Sequence, residues 1–362
     1  MSKADELYAS CKNVLPGHGP SRKMKAVFQE LADSLDGTED LDRYGSGEYL
    51  SAFEVEVAKM FGKPAAVFLP SGIMAQQIAL RIWCERSNNF TIAMHSTAHL
   101  EFAEQFSYQF MHDLHRLQFG TPETLGNRML TLKDFQSLGK KPGAILLELP
   151  YRPLGGQLTE WDELTAIHDW ARDNKIPFHL DGARIWQCKS FYKKEYRQIA
   201  ALFDSLYVSF YKDLGGLCGS MLLGSEAFIQ EARMWQVRYG GRLFTQAPFV
   251  VSDRLGMQRV LPQIDSWVER AQAVAATLSE FDQLTVNPNP PHVNFFQLYV
   301  KGDPEQMTQH HMEVAEKTGT FLFHRLNQTA VPGIGMTEIH CWENALKFDL
   351  DSLRPFLEKW LG

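Results

Sequence analysis

The sequence predicts an α/β fold: a mostly parallel mixed sheet in a large domain, followed by a smaller C-terminal α+β domain. Three observations carry this expectation. From about residue 50 to 250, helical and strand signals alternate. Within that stretch two short apolar runs, in IPFHLDGAR (176–184) and SLYVSFYKDLGGLCGSMLLG (205–224), each end in a charged residue followed by glycine-rich backbone. Beyond about residue 252 the alternation gives way to a long helical stretch and scattered short strands. The expected division is an N-terminal arm over 1–45, a large domain over 46–252 and a small domain over 253–362.

The elements follow in order. The arm carries the loop Pro16-Gly17-His18-Gly19-Pro20 and then a charged helix near Arg22 to Leu35. Phe53, Val57 and Met60 share one face, which predicts a helix over Ser51 to Phe61. Ala65 to Leu69 reads as a strand, and Ser71 offers an N-cap to a helix reaching about Trp83. Further strands are expected at Thr91 to Met94, Ala144 to Leu149, Pro177 to Leu180, Leu206 to Phe210 and Ser220 to Leu223. They are apolar throughout rather than alternating, as strands buried on both faces are. A helix over Trp161 to Asn174 fills one crossover. The loop between the last two strands is too short for a helical crossover, so that pair should be antiparallel. In the small domain a helix is expected over Asp253 to Phe281, then a half-buried strand over Val293 to Val300. A helix near Pro304 to Gly319, strands at Thr320 to His324 and Thr337 to Trp342, and a helix over Asp351 to Leu361 complete it.

Composition excludes several classes. With 362 residues, 44% apolar and 22% charged, the chain reads as globular. Net charge is −7 with no long basic run, so neither nucleic acid nor an anionic membrane is an expected partner. No uninterrupted apolar run approaches about 18 residues, so no membrane span is expected. The polar start MSKADELYASCKN lacks the apolar core of a signal peptide. The five cysteines are scattered and odd in number. No metal site is expected from them, and free thiols in a reducing cytoplasm are.

Asp181 and Lys212 stand out. Each should lie at or just past the carboxyl end of a strand, the edge where open α/β sheets bind ligands. Singly, an Asp after a strand is more often a turn residue, and a Lys in a glycine-rich loop is more often solvated. Together, a carboxylate and an amine so placed suit pyridoxal 5′-phosphate (PLP). The lysine binds the cofactor covalently, and the aspartate keeps the pyridine nitrogen protonated. Ser71-Gly72-Ile73 opens a helix after a strand, where backbone N–H groups can hold a phosphate. His99, in HSTAHLEF, could stack on a flat ring. Arg184, three residues after Asp181, could pair a carboxylate or the cofactor phenolate.

Read together, these segments resemble the low-specificity threonine aldolases, within the β-eliminating lyase group of fold-type-I PLP enzymes. FGKPAAVFLPSGIMAQQ resembles the family's strand and phosphate turn, HLDGARIW its most specific motif, SFYKDLGG its lysine loop, and LGGQLTEWDEL its Gly-Gly segment. The resemblance runs from about Tyr44 to the C-terminus. It implies that Lys212 carries the cofactor, Asp181 contacts the pyridine nitrogen and His99 stacks on the ring. It implies further that Ser71, Gly72 and Ile73 hold the phosphate, and that Arg184 lies near the ring oxygen and the substrate carboxylate. It also implies a homo-oligomer, dimer or tetramer, in which a neighbour's glycine-rich loop reaches the phosphate. The family arginine of that loop falls at Thr245, and Arg242 is the candidate replacement.

Three departures mark this chain. Ile73 stands where the family has threonine, which removes a hydroxyl. Tyr151 stands in place of a histidine. His340, in Thr337-Glu338-Ile339-His340, stands in place of the arginine that binds the substrate carboxylate, and imidazole is a poor substitute for a bidentate guanidinium. Arg152, Arg184 or His18 could compensate. The activity implied is retro-aldol cleavage of a β-hydroxy-α-amino acid, L-threonine or L-allo-threonine in type, to glycine and an aldehyde. The base is His99, Tyr151 or an ordered water. The alternative is β-elimination giving a keto acid and ammonia. A non-catalytic protein on the same fold is a third reading, against which the intact Lys212 and Asp181 argue.

Overall fold

The computed structural model describes residues 3–18, 22–119 and 128–362. Gly19 and Pro20 of the expected arm loop lie outside the described residues. The chain divides into two compact units. The larger comprises Arg22–Pro153 and Leu158–Pro262, the smaller Met1–Ser21, Leu154–Gln157 and Gln263–Gly362. The expected arm is therefore shared between them. The boundary near residue 253 moves to Gln263, because the single helix expected over 253–281 is two: Ala247–Val260 and Ile264–Leu278. Pro262 sits at the break, where its missing N–H and its ring prevent the helix from continuing.

Strands are numbered along the chain. The first, β1 (Asn13–Val14), belongs to the smaller unit. The next seven are β2 (Ala65–Leu69), β3 (Thr91–Met94), β4 (His115–Gln118), β5 (Ala144–Glu148), β6 (Phe178–Gly182), β7 (Ser205–Ser209) and β8 (Ser220–Gly224). They form the sheet of the larger unit in the order β2-β8-β7-β6-β5-β3-β4. Only β8 runs against its neighbours, pairing antiparallel with both β2 and β7. That matches the expected hairpin and leaves the carboxyl ends of the other six at one edge. β4 had no strand signal, since HRLQ is polar and lacks the apolar content that marks a buried strand. The helix Glu226–Arg238 was also unforeseen, although Ser225 caps it and Phe228, Ile229 and Ala232 form its buried stripe.

The sheet is buried on both faces. Helices Gly72–Ser87 and Glu226–Arg238 bring Ala75, Ile78, Ala79, Ile82, Phe228 and Ala232 against Val67, Leu69 and Leu222. Phe53, Phe68, Phe210 and Trp186 fill a second, aromatic cluster with no exposed surface. Each such side chain contributes roughly 1.5–3 kcal/mol by leaving water. Gly72–Ser87 outlasts its expected end at Trp83 and stops where Asn88 turns left-handed at φ +48°.

The smaller unit holds an antiparallel sheet of β9 (Leu284–Asn287), β10 (Phe295–Lys301), β12 (Asn327–Gln328) and β13 (Ile334–His340), ordered β12-β13-β10-β9. The short β11 (Thr320–Phe321) pairs in parallel with β1. β10 is buried over most of its length rather than half-buried, because it lies between β9 and β13. β13 alternates in burial, as a strand with one covered face does. Among the described residues no helix is long and apolar enough to cross a membrane.

Candidate active site

Four features of the larger unit meet at the carboxyl edge of its sheet. Asp181, the fourth residue of β6, is 4% exposed, and its Oδ1 accepts the Ala183 N–H at 3.0 Å. That bond fixes the carboxylate at the strand end and leaves Oδ2 for another partner. Lys212 follows β7 by three residues and is partly buried. Its amine makes no hydrogen bond or ion pair among the described residues. Ser71 follows β2 by two residues and caps the helix Gly72–Ser87, its Oγ accepting the Met74 N–H at 3.3 Å. His99 begins a short helix after β3, and its Nδ1 meets Glu104 Oε1 at 2.9 Å.

The charges tie these groups into one site. The hydrogen bond to Glu104 raises His99 above its ordinary value, although burial pulls it down; Asp181 raises it further and Lys212 opposes. Glu148, the last residue of β5, stands in register with Asp181. Burial, and then the Asp181 charge, push its carboxyl up to about 8, against the pull of His99 and Lys212. Tyr151 is 2% exposed, and its hydroxyl is buried beside Thr97. Burial and Glu148 drive its pKa well above the usual phenol value. The backbone N–H of Arg152 donates to Glu148, while the Arg152 side chain is exposed.

Arg184 donates Nη1 to Asp213 Oδ1 at 2.6 Å, with Asp213 wholly buried. That pair ties the end of β6 to the residue after Lys212. Gly72 permits a close approach: a Cβ there would lie 2.5 Å from the Tyr207 hydroxyl oxygen. Ile73 is 42% exposed. Arg242 is exposed and donates Nε to the Tyr44 carbonyl. Thr245, the position of the family arginine, instead donates to Asp42 Oδ1 at 2.7 Å, an oxygen that also receives the Gln246 and Ala247 N–H groups.

His18 and His340 belong to the smaller unit. His18 Nδ1 meets Glu343 Oε2 at 2.7 Å, and its ring stacks on Trp342 at 4.3 Å. His340 Nε2 meets Glu338 Oε2 at 3.1 Å, and its ring lies between Phe295 and Trp342.

Two acidic residues escaped sequence reasoning. Glu148 ends an apolar run, AILLE, the same signal that singled out Asp181. Glu104 carries no such mark: only the fold buries it beside His99, where it also accepts from Gln77 Nε2 at 3.1 Å.

These residues fit PLP. The cofactor's phosphate, aldehyde and ring nitrogen need, in turn, exposed amides, an amine and a buried carboxylate. The helix start at Ser71–Ile73 presents the amides, Lys212 an uncommitted amine, and Asp181 the carboxylate. Ser209 adds a fully buried hydroxyl at the same edge, as expected of a site built around a polar ligand.

Comparison with known proteins agrees. Residues 21–302 match the family model for β-eliminating lyases. The chain is 27% identical over 234 residues to aldolase vrtJ of Penicillium aethiopicum, across 63% of this chain and 58% of that protein's length. It is 24% identical to low-specificity L-threonine aldolase 1 of Arabidopsis thaliana, across 68% of this chain and 71% of that one. Among solved structures, a Listeria monocytogenes protein assigned as an L-allo-threonine aldolase superposes with a TM-score of 0.93 at 33% identity, covering 99% of both chains. An Exiguobacterium protein assigned as an aromatic amino acid β-eliminating lyase/threonine aldolase gives 0.91 at 32% identity, also over 99% of both.

Proposed function

The chain belongs to the β-eliminating lyase family, and we propose that it binds PLP at Lys212 and cleaves a β-hydroxy-α-amino acid of the threonine or allo-threonine type to glycine and an aldehyde. The observation that carries this reading is the meeting of Lys212, Asp181 and His99 at one sheet edge, where the helix Gly72–Ser87 begins.

PLP supplies an electron sink for the pair released at the substrate's α-carbon. Asp181 would face the pyridine nitrogen and favour its protonated form, a task suited to a buried carboxylate. Ser71, Gly72 and Ile73 would hold the phosphate through backbone N–H groups, and His99, oriented by Glu104, would stack on the ring. When the Cα–Cβ bond breaks, the β-hydroxyl proton must leave and the electron pair stays on Cα, which then takes a proton to give glycine. Of the candidate bases, Tyr151 keeps its own proton because burial and Glu148 hold its pKa high. The acceptor is therefore His99, directly or through a water. The Lys212 amine would carry the proton returned to Cα. Arg184, held by Asp213, would serve the substrate carboxylate, with Arg152 the other candidate in the same unit.

Assembly is part of this reading. Arg242 sits on a loop whose Phe244 packs edge-on against Tyr44, both more than half exposed. Phe102 and Phe110 are also exposed at 59% and 84%. We infer a homo-oligomer, dimer or tetramer, in which Arg242 reaches the phosphate of a neighbouring protomer. The five cysteines form no disulfide, which suits the cytoplasm.

The test is direct. The purified protein should absorb in the visible, and borohydride should bleach that band. Glycine and an aldehyde should then form from L-threonine or L-allo-threonine. A keto acid with ammonia would establish β-elimination, for which the uncommitted Lys212 amine is a suitable base.

A further inference from the structure

At the phosphate turn, Ser71 Oγ accepts the Met74 N–H and keeps its own O–H to donate, but Ile73 has no hydroxyl to offer. Three other hydroxyls, from β7 and the residues after it, surround the same turn. Tyr207 stands in register with Asp181, and its hydroxyl fills the space a Cβ on Gly72 would occupy. Ser209 ends β7 with a fully buried Oγ whose neighbour is the Tyr211 hydroxyl. Tyr211, directly before Lys212, is 36% exposed, and its hydroxyl is approached by the Gly72 N–H and the Ser209 side chain. A fully buried hydroxyl and a half-open phenol thus converge on the start of a 16-residue helix, where an anion is favoured.

We propose that Tyr211 is a phosphate-binding residue of this chain, its hydroxyl donating to the cofactor phosphate in place of the hydroxyl that Ile73 lacks. The proposal rests on the PLP reading above. The Tyr211 oxygen lies beside the Gly72 N–H, so a phosphate at this turn would accept from that N–H and from the phenol O–H together. Burial raises the Tyr211 pKa, so the phenol keeps the proton it must donate. Bonds from a neutral hydroxyl to an anion are roughly twice as strong as neutral ones. The ring also stands one residue from Lys212, so the same contact limits where the lysine loop can lie.

The test compares PLP with pyridoxal, which lacks the phosphate, binding to the whole protein and followed by absorbance. Tyr211→Phe removes only the hydroxyl. It should weaken PLP binding about tenfold or more, the scale of a hydrogen bond to a charged group, and leave pyridoxal binding unchanged. Adding Ile73→Thr to Tyr211→Phe should restore most of the lost PLP affinity. Equal losses for both ligands, unchanged PLP affinity, or no recovery in the double variant would each overturn the proposal. If the unaltered protein takes up neither PLP nor pyridoxal, the PLP reading itself fails, a result distinct from all three.

Discussion

Glu148 stands directly across from Asp181 in adjoining parallel strands, so two carboxyl groups share one buried edge. Two such groups cannot both ionise cheaply. Asp181 is the one we propose for the cofactor, and Glu148 is the one that keeps its proton, up to about 8. The sign of the pH effect follows. A carboxyl raised above its ordinary 4.5 contributes stability that is fully present below that value and is lost as pH rises through about 8. In the cofactor-free protein, Glu148→Gln should remove this loss. Its urea midpoint should gain on the unaltered protein steadily between about pH 5 and 9. Parallel curves across that range would show that Glu148 is not protonated in the folded state.

Lys212→Ala should abolish turnover and the visible absorption while leaving far-ultraviolet circular dichroism unchanged, since the amine makes no bond that supports the fold. Mass spectrometry after borohydride reduction should place the phosphopyridoxyl group on Lys212. Finding it on another lysine would overturn the assignment.

Asp181→Ala should reduce the rate by several orders of magnitude with PLP still bound, because the ring nitrogen would lose its proton and the electron sink would weaken. Some loss of stability is also expected from the freed Ala183 N–H. Near-normal turnover with Asn or Ala at this position would mean that the ring lies otherwise.

Glu104→Gln tests the partner of His99. The hydrogen bond raises His99, so the variant's imidazole should lose its proton at lower pH, and the rising limb of kcat against pH should move down with it. A raised histidine contributes stability that is present below about 6.5 and lost as pH rises through its folded value. The variant should therefore be most destabilised at low pH. A rate profile that falls uniformly with no shift of its limb would leave Glu104 with a packing role only.

Arg242→Ala should weaken PLP retention more than folding, and dilution into monomers should release cofactor. Light scattering that finds a fully active monomer would refute the shared site. Normal PLP retention by an intact Arg242→Ala oligomer would remove only the arginine's role.

The sequence announced the charged ends of buried strands well. Apolar runs mark strands buried on both faces, and a charged residue closing such a run has few reasons to be there; Asp181 and the Lys212 loop were found in this way. Glu104 could not be, because nothing near it in the chain predicts that it will be buried beside His99. β4 hid for the opposite reason: an edge strand of polar residues looks like a loop. The helix expected over 253–281 failed at Pro262, where periodicity continues across a break the backbone cannot bridge. Tyr211 was visible as a letter beside Lys212, but its bearing on the phosphate turn depends on Gly72, which only the folded sheet brings near.

The pairing of Asn13 with Thr320, 307 residues apart, sets an order of events during synthesis. All of the larger unit has left the ribosome before the partner of β1 exists. The larger unit can therefore fold as a body while the first 18 residues wait. A chain ended anywhere before β11 leaves Val14 without its strand and Leu15, otherwise 1% exposed, without cover. A chain that stops before β11 therefore leaves a sticky N-terminal segment uncovered, because its apolar partners lie beyond residue 263.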